Sequence, residues 1–441
     1  MPQSLNSYVA EFEKDRRVWS GQPAWLTRLR ADAVSRFQAL GFPTTRDEEW
    51  RFTSVAPIAE RAFTLAPAAD RESANVAPSS MAGNASAEIV FVNGRYVPAL
   101  STVDKLPAGV VVESLAAAVA RRATDLEPNL AQLARFEQRA FTALNTAFLA
   151  DGAFIQVSPR VVLQAPIHVL FLSTPVADES TPMSHPRVCV LLGAGSQASV
   201  VERYAGTEGT TYLTNAVTEL VLGENALLQH YKLQEESACA YHVGAIHVRA
   251  ERSATCASHS IAFGGALVRN DVVAVLDGEG AECTLNGLYV ADGQRLVDNH
   301  TTIDHARAHC GSREVYKGVL ADRARGVFNG KIIVRADAQK TDAKQTNRAL
   351  LLSEDAQINT KPQLEIFAND VKCTHGAAVG QLDDEAVFYL RSRGLSEADA
   401  RRLLIHAFAA ELLNLIPLEP IRAGAEELLQ QRLGRVLTAA A

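Results

Sequence analysis

The chain has 441 residues, enough to bury a large core and, by length alone, to form two to three domains. Its composition, 47% hydrophobic and 21% charged, is that of a soluble globular protein. A net charge of -7 excludes a general binder of nucleic acid or of anionic membrane, both of which need a basic face.

No apolar run approaches the roughly 20 residues needed to span a bilayer. The opening Met1-Pro-Gln-Ser-Leu5 has neither the basic head nor the apolar core of a secretion signal. A cytoplasmic location is therefore expected. The six cysteines (Cys189, Cys239, Cys256, Cys283, Cys310 and Cys373) never form a Cys-x-x-Cys pair. In a reducing compartment most of them should be small buried hydrophobes.

In chain order, Leu26, Leu29, Ala33, Phe37 and Leu40 step by three or four, which predicts an amphipathic helix over 23–40. Gly41-Phe-Pro43 stops it, since glycine caps and proline cannot continue. The acidic-aromatic segment Thr45-Arg-Asp-Glu-Glu-Trp-Arg-Phe-Thr53 should dock Trp50 on the core. Residues 64–87 are rich in Ala, Pro, Ser and Asn and read as a linker. Asn93-Gly94 is a strong hairpin signal. Residues 112–149 return to helix, with Leu130, Leu133, Phe136, Phe141, Leu144 and Phe148 as the apolar side. The expected first unit is a mainly helical domain over 1–150.

From about residue 154 the texture changes to short β-rich runs broken by Gly, Asn and Asp. A weak repeat runs through Gly193-Ala-Gly-Ser-Gln-Ala198, Gly223-Glu-Asn-Ala226, Glu251-Arg-Ser-Ala254 and Gly278-Glu-Gly-Ala281. Less regular copies are Ala321-Asp-Arg-Ala324 and Ser353-Glu-Asp-Ala356. The first three steps between the closing alanines are 28, 28 and 27 residues, and the later ones drift. Units of this length, unable to bury their own apolar faces, are the mark of a solenoid. Because they are strands and turns, the expected fold over 151–382 is a right-handed parallel β-helix with each small Ala where the coil bends inward. A β-sandwich with recurring hairpins is the alternative, disfavoured by the lack of two-residue hairpin turns. From residue 383 to 441 the chain is helical again. Ser396 is an N-cap followed by an acidic first turn, and a last helix is expected near 420–437. These helices either close the solenoid or offer a groove to a partner.

The chemistry-bearing residues are few. Gly326-Val-Phe-Asn-Gly-Lys331 lacks the spacing and the Ser or Thr of a phosphate-binding loop, and no hydrolase elbow or His-Glu-x-x-His is present. His300, His305, His309 and Cys310 have metal-ligating side chains, but their spacing fits no common finger, and strand or turn hydrogen bonding is the favoured role. Cys373 and His375 are two apart, so on a strand they share a face. They supply only two ligands, which suits a half-site completed by another subunit; a buried thiol beside a hydrogen-bonded His is the bland alternative.

Three motifs, Ala338-Gln-Lys-Thr-Asp-Ala-Lys-Gln-Thr-Asn-Arg-Ala-Leu-Leu-Leu-Ser353, Asp370-Val-Lys-Cys-Thr-His-Gly-Ala377 and Phe388-Tyr-Leu-Arg-Ser-Arg-Gly394, resemble the SufB/SufD family of iron–sulfur cluster assembly proteins. So do residues 297–320, Asn145-Thr-Ala-Phe148 and Glu48-Glu-Trp-Arg-Phe52, so the resemblance covers most of the chain. His375-Gly-Ala-Ala-Val-Gly380, the Glu-Glu-Trp segment and the shortage of cysteine are similar to the SufD side of the family. The resemblance implies a parallel β-helix between helical ends, pairing with SufB, and C-terminal helices that receive the ATPase SufC. It implies a non-catalytic scaffold that helps iron enter the complex, with no stably bound cofactor but transient iron or an iron–sulfur cluster at the partner interface. Cys373 and His375 fall on the family's Cys-x-His at that junction. The rivals are a β-helix carbohydrate lyase or hydrolase, which would need paired carboxylates and usually a secretion signal, and a homodimer of this chain without SufB.

Overall fold

The turn signals after residue 193 do bend the chain, and each bend sends it into the other of two sheets. In the computed structural model, which describes residues 3–15, 21–66, 74–75, 79–81, 83–176 and 180–439, strands alternate between the two sheets along the chain. One sheet stacks Leu213–Leu222, Tyr241–Ala250, Leu267–Leu276, Leu296–His305, Arg325–Val334 and Gln357–Ile366, all parallel. The facing sheet stacks Gln197–Gly206, Leu227–Glu235, Thr255–Ala262, Glu282–Ala291, Gly311–Leu320, Asp342–Leu351 and Lys372–Gly380. The result is a parallel β-solenoid flanked by helical regions, as the repeat predicted.

The corners explain the repeat and its drift. At Gly223–Ala226, Glu251–Ala254 and Gly278–Ala281 the closing alanine donates its N–H to the first residue of the turn, and it is buried. The residue before each alanine has a positive φ: Asn225 57°, Ser253 54° and Gly280 71°. Gly195, His309 and Lys340 take the same left-handed conformation at the equivalent places. These six residues form a ladder, each donating its N–H to a carbonyl of the next coil: Glu224, Arg252, Glu279, Ala308, Gln339 and Asp370, at 2.6 to 3.1 Å. In the first copy the corner is closed by Ser196, not Ala198, which already lies in the strand. Ala321–Ala324 and Ser353–Ala356 sit at the opposite corner, between the second sheet and the first, so their step could not match.

The interior packs Val200, Leu220, Leu228, Ile246, Val272, Leu285, Ile303 and Phe328 into one apolar column. Each such side chain contributes about 1.5–3 kcal/mol. Helix Ala24–Leu40, as predicted from its stripe, joins Gln3–Asp15 and Ala140–Ala147 in covering the outer face of the first sheet at Leu213, Val243, Leu267, Leu296 and Val327. Helices Glu397–Leu413 and Glu419–Ala439 cover the outer face of the second, with Ile405, Leu412 and Ile416 against Ile261, Leu288 and Val319. Ser396 caps the former, accepting from Asp399 N–H at 3.1 Å.

Two expectations for the N-terminal part need revision. Residues 112–149 are not continuously helical: Val110–Ser114 is a strand, and 127–139 is irregular between Ala123–Leu126 and Ala140–Ala147. The cause is Glu219, fully buried, whose carboxylate accepts the N–H groups of Ala131, Leu133 and Ala134 at 2.8 to 3.0 Å. A chain whose amides point at a carboxylate cannot also give them to a helix. The supposed linker over 64–87 begins inside a strand, Phe63–Leu65, paired with Thr181–Ser184; its residues 67–73, 76–78 and 82 lie outside the described ones. The Asn93-Gly94 hairpin is present, with φ of 50° and 75°, and its strand Ala87–Val92 runs on to pair with Ile167–Ser173.

The Glu219 carboxylate is neutralised by Arg187 at 2.7 Å, and Arg187 also donates to Asn145 at 3.0 Å. Replacing Glu219 with Ala leaves a buried guanidinium and three amides unsatisfied. The expected loss is about 3–5 kcal/mol, read by thermal or urea unfolding. Glu251→Ala at an exposed corner should stay within about 0.5 kcal/mol.

Candidate functional site

The solenoid stops at two strands that each have one neighbour. Gln357–Ile366 bonds to Arg325–Val334, and Lys372–Gly380 bonds to Asp342–Leu351; among the described residues no strand covers their other edges. The register sets Cys373 on Ala343, His375 on Gln345 and Ala377 on Asn347. Ala343, Gln345 and Asn347 are buried interior residues, so Cys373 and His375 face inward too, on the last coil, with nothing stacked above them. Cys373 is half-buried against Val334, Ala338 and Ala343, and burial raises its thiol above the ordinary value. His375 is exposed. The pair is thus held at the rim of an open mouth.

The mouth has a polar floor that sequence reasoning missed. Gln345 donates through Nε2 to Glu314 Oε2 at 2.7 Å, and Asn347 donates through Nδ2 across the interior to Thr360 Oγ1 at 2.9 Å. A Cβ at Gly330 would lie 2.3 Å from Gln345 Nε2, so glycine is what lets this side chain cross. Burial pushes the Glu314 carboxyl up to about 7, against the opposing effects of Thr301 and Gln345. The signal was present in Ser312-Arg-Glu-Val-Tyr-Lys-Gly318, but which of its residues point inward depends on register.

The other candidate ligands are kept apart. His305 is fully buried, its Nε2 within 2.9 Å of Ser312 Oγ, and burial lowers its pKa to about 4. His309 is a member of the turn ladder. Cys310 is buried and its thiol donates to the Gly278 carbonyl at 3.3 Å. Among the described residues no three His, Cys, Asp or Glu side chains are grouped to hold a metal. Gly326–Lys331 lies within the strand Arg325–Val334, so its amides serve the sheet and not a phosphate.

His300 belongs to a second site on the outer face of the first sheet. It lies 3.1 Å from both Glu49 and Asp298. Arg269, also buried, bonds Asp271 at 2.8 Å, Asp298 at 2.5 Å and the Glu49 carbonyl at 2.9 Å. Its guanidinium stacks 4.3 Å from the Trp50 ring, which in turn meets Phe141 at 5.5 Å. Trp50 therefore docks as predicted, beside a cleft of about 550 Å³. Burial and Arg269 oppose a charged His300, but Asp298 and Glu49 outweigh them and raise its pKa.

Comparison with known proteins joins these pieces. Residues 175–408 match the SUF system FeS cluster assembly, SufBD core domain, and residues 2–169 match the SufBD protein N-terminal region. The chain is 33% identical to the iron-sulfur cluster assembly protein SufD of Escherichia coli K12, over 92% of this chain and 94% of that one. It is 32% identical to the SufBD family protein slr0076 of Synechocystis, over 93% and 92%. To SufD of Bacillus subtilis it is 26% identical over 91% and 92%.

The raised pKa of His300 fixes the sign of a pH effect. Its charged form stabilises the fold fully below the unfolded value of about 6.5, and that stabilisation is lost as pH rises through the higher folded value. Thermal unfolding of the protein and of His300→Gln should therefore differ most near pH 6 and converge in alkali. A gap that widens with pH would contradict the assignment.

Proposed function

The chain belongs to the SufBD family of iron–sulfur cluster assembly proteins, and on that premise we propose that it is a SufD-type scaffold subunit. In this reading it pairs end to end with SufB, receives SufC on its C-terminal helices, and leaves ATP hydrolysis to SufC. The observation that carries the reading is the unfinished coil. Two exposed strand edges lie side by side around an inward-facing thiol and imidazole. An exposed edge is a template for another chain, and a SufB solenoid laid against it would extend both sheets. Docking would also enclose Cys373 and His375 and add ligands to a set of two, too small to hold a cluster alone. Iron and sulfide are here the cargo, held transiently while the shell is shared.

The neighbouring helix Asp384–Ser392 supports the second contact. Of its side chains Val387 is buried, whereas Phe388 and Tyr389 are 74% and 56% exposed. Large aromatics left in water on a short helix suit the centre of a protein interface. The longer helices behind it are committed to the solenoid, with Lys317 paired to Glu411 and donating to the Phe408 carbonyl at 2.8 Å. A movement of SufC would thereby be transmitted to the last coils. No helix among the described residues is long and apolar enough to cross a membrane. The rival carbohydrate enzyme would need an open groove along the coils, and helical layers lie on both outer faces.

Two variants test this. His375→Ala should leave the complex with SufB and SufC intact and lower the yield of assembled cluster; an unchanged yield removes His375 from the mechanism. Phe388→Glu with Tyr389→Glu should weaken SufC binding by roughly tenfold or more without changing thermal stability. Undiminished SufC affinity would place that contact elsewhere, and light scattering shows whether the isolated chain pairs with itself instead.

A further inference from the structure

Below the rim, the interior of the last closed coils carries several buried oxygens. Glu314, Gln345, Asn347 and Thr301 are each at most 2% exposed. The bond to the Glu314 carboxylate identifies the nitrogen of the Gln345 amide, and the Asn347 nitrogen is committed to Thr360. That leaves Gln345 Oε1 and Asn347 Oδ1 without a partner, beside a Glu314 carboxylate that the Thr301 hydroxyl helps to hold charged. The two carboxylates deeper in the solenoid are different. Glu202 is satisfied at both oxygens by Tyr204, Thr218 and His230, and Glu236 by Thr214, Gln234 and His242. Each orphaned buried acceptor costs about 1–3 kcal/mol, so two of them beside a carboxylate mark a place suited to a cation.

Their positions allow one ligand to meet several of them. Glu314 and Gln345 are direct register partners on adjacent coils, and Asn347 is two residues along the same strand on the same inward face. Thr301 comes from the facing sheet and is among the groups that act on Glu314. Gln345 is in turn the register partner of His375, so the group lies directly beneath the mouth.

We propose that Glu314, Gln345 and Asn347 form a binding well for a divalent first-row cation of the ferrous class, loaded through the mouth past His375. One carboxylate, two amide carbonyls and a hydroxyl make a hard oxygen set, which takes such an ion with water completing its shell. The well needs only this chain. That it passes its ion on to Cys373 and His375 rests on the assembly reading above.

The test uses the full-length chain without its partners, anaerobically, with Mn(II) as probe, the free ion being read by electron paramagnetic resonance. The protein should bind one Mn(II) per chain, and Glu314→Gln should weaken binding by at least about tenfold. The double variant Cys373→Ala/His375→Ala should retain it, because the oxygen ligands remain. Gln345→Met, which keeps the volume and removes a carbonyl, gives a second reading if Glu314→Gln fails to fold. Absence of Mn(II) binding up to millimolar concentration, equal binding by wild type and Glu314→Gln, or binding lost only in the rim variant would each overturn the well. None of those results touches the scaffold role, which is judged by cluster yield on the complex.

Discussion

A coil of this solenoid can satisfy its backbone only against another coil. Each strand has a neighbour in the same position one turn earlier and one turn later, and the left-handed corner residues repeat the arrangement outside the sheets. Stacking therefore propagates without any internal reason to stop, and the place where it stops is chemically unlike the rest. At the N-terminal end the hairpin Ala87–Val92 and the antiparallel strand Val110–Ser114 close the two sheets. At the other end the chain leaves for helix Asp384–Ser392 with both edges still open. The exposure of His375 and the two unpaired strand edges both descend from that one asymmetry.

Burial of charge follows the same geometry. Along the sealed coils, ionisable groups appear in pairs and small sets: Arg187 with Glu219, Arg269 with Asp271 and Asp298, His230 with Glu202, His242 with Glu236. Such sets offset the cost of removing charge from water only when every lone pair is used. Most of them tie an N-terminal segment or one sheet to the other, as Glu219 does by gathering residues 131–134. Near the mouth the Glu314 carboxyl accepts from the neutral Gln345 amide instead, and burial raises its pKa to about 7.

Much of this was legible in the residues themselves, because local rules act where they can be read. The stripe of Leu26, Ala33 and Phe37, the Asn93-Gly94 turn and the Ser396 cap depend on spacing within one element. The solenoid declared itself through corners, and the repeat faded where it mixed two kinds of corner. What stayed hidden depends on contacts between distant segments. Residues 127–139 carry a helical pattern but answer to Glu219, some 85 residues away. His309 resembles a ligand in sequence and is a backbone device in the fold. The polar floor could not be seen, since the inward member of Arg313, Glu314 and Val315 is decided by register, and a shift of one residue would have turned Glu314 to solvent.

Hard and soft donors are separated along the axis of the mouth, and this has a consequence for when metal can be held. Burial raises the Cys373 thiol above its ordinary pKa, which disfavours the thiolate that a metal takes. In the well proposed above, a cation entering alone would meet the oxygens of Glu314 and Gln345, where no proton need leave sulfur. Docking of a second chain, as proposed, would change the balance: it would cover the rim, bring further ligands, and favour the thiolate by placing a metal next to it. On that proposal, binding of the partner and binding of metal at the rim would favour one another by the same free energy, as any two events coupled through a shared site must. A scaffold built this way would hold iron loosely until its partner is seated, and firmly only once the coil has been continued by another chain.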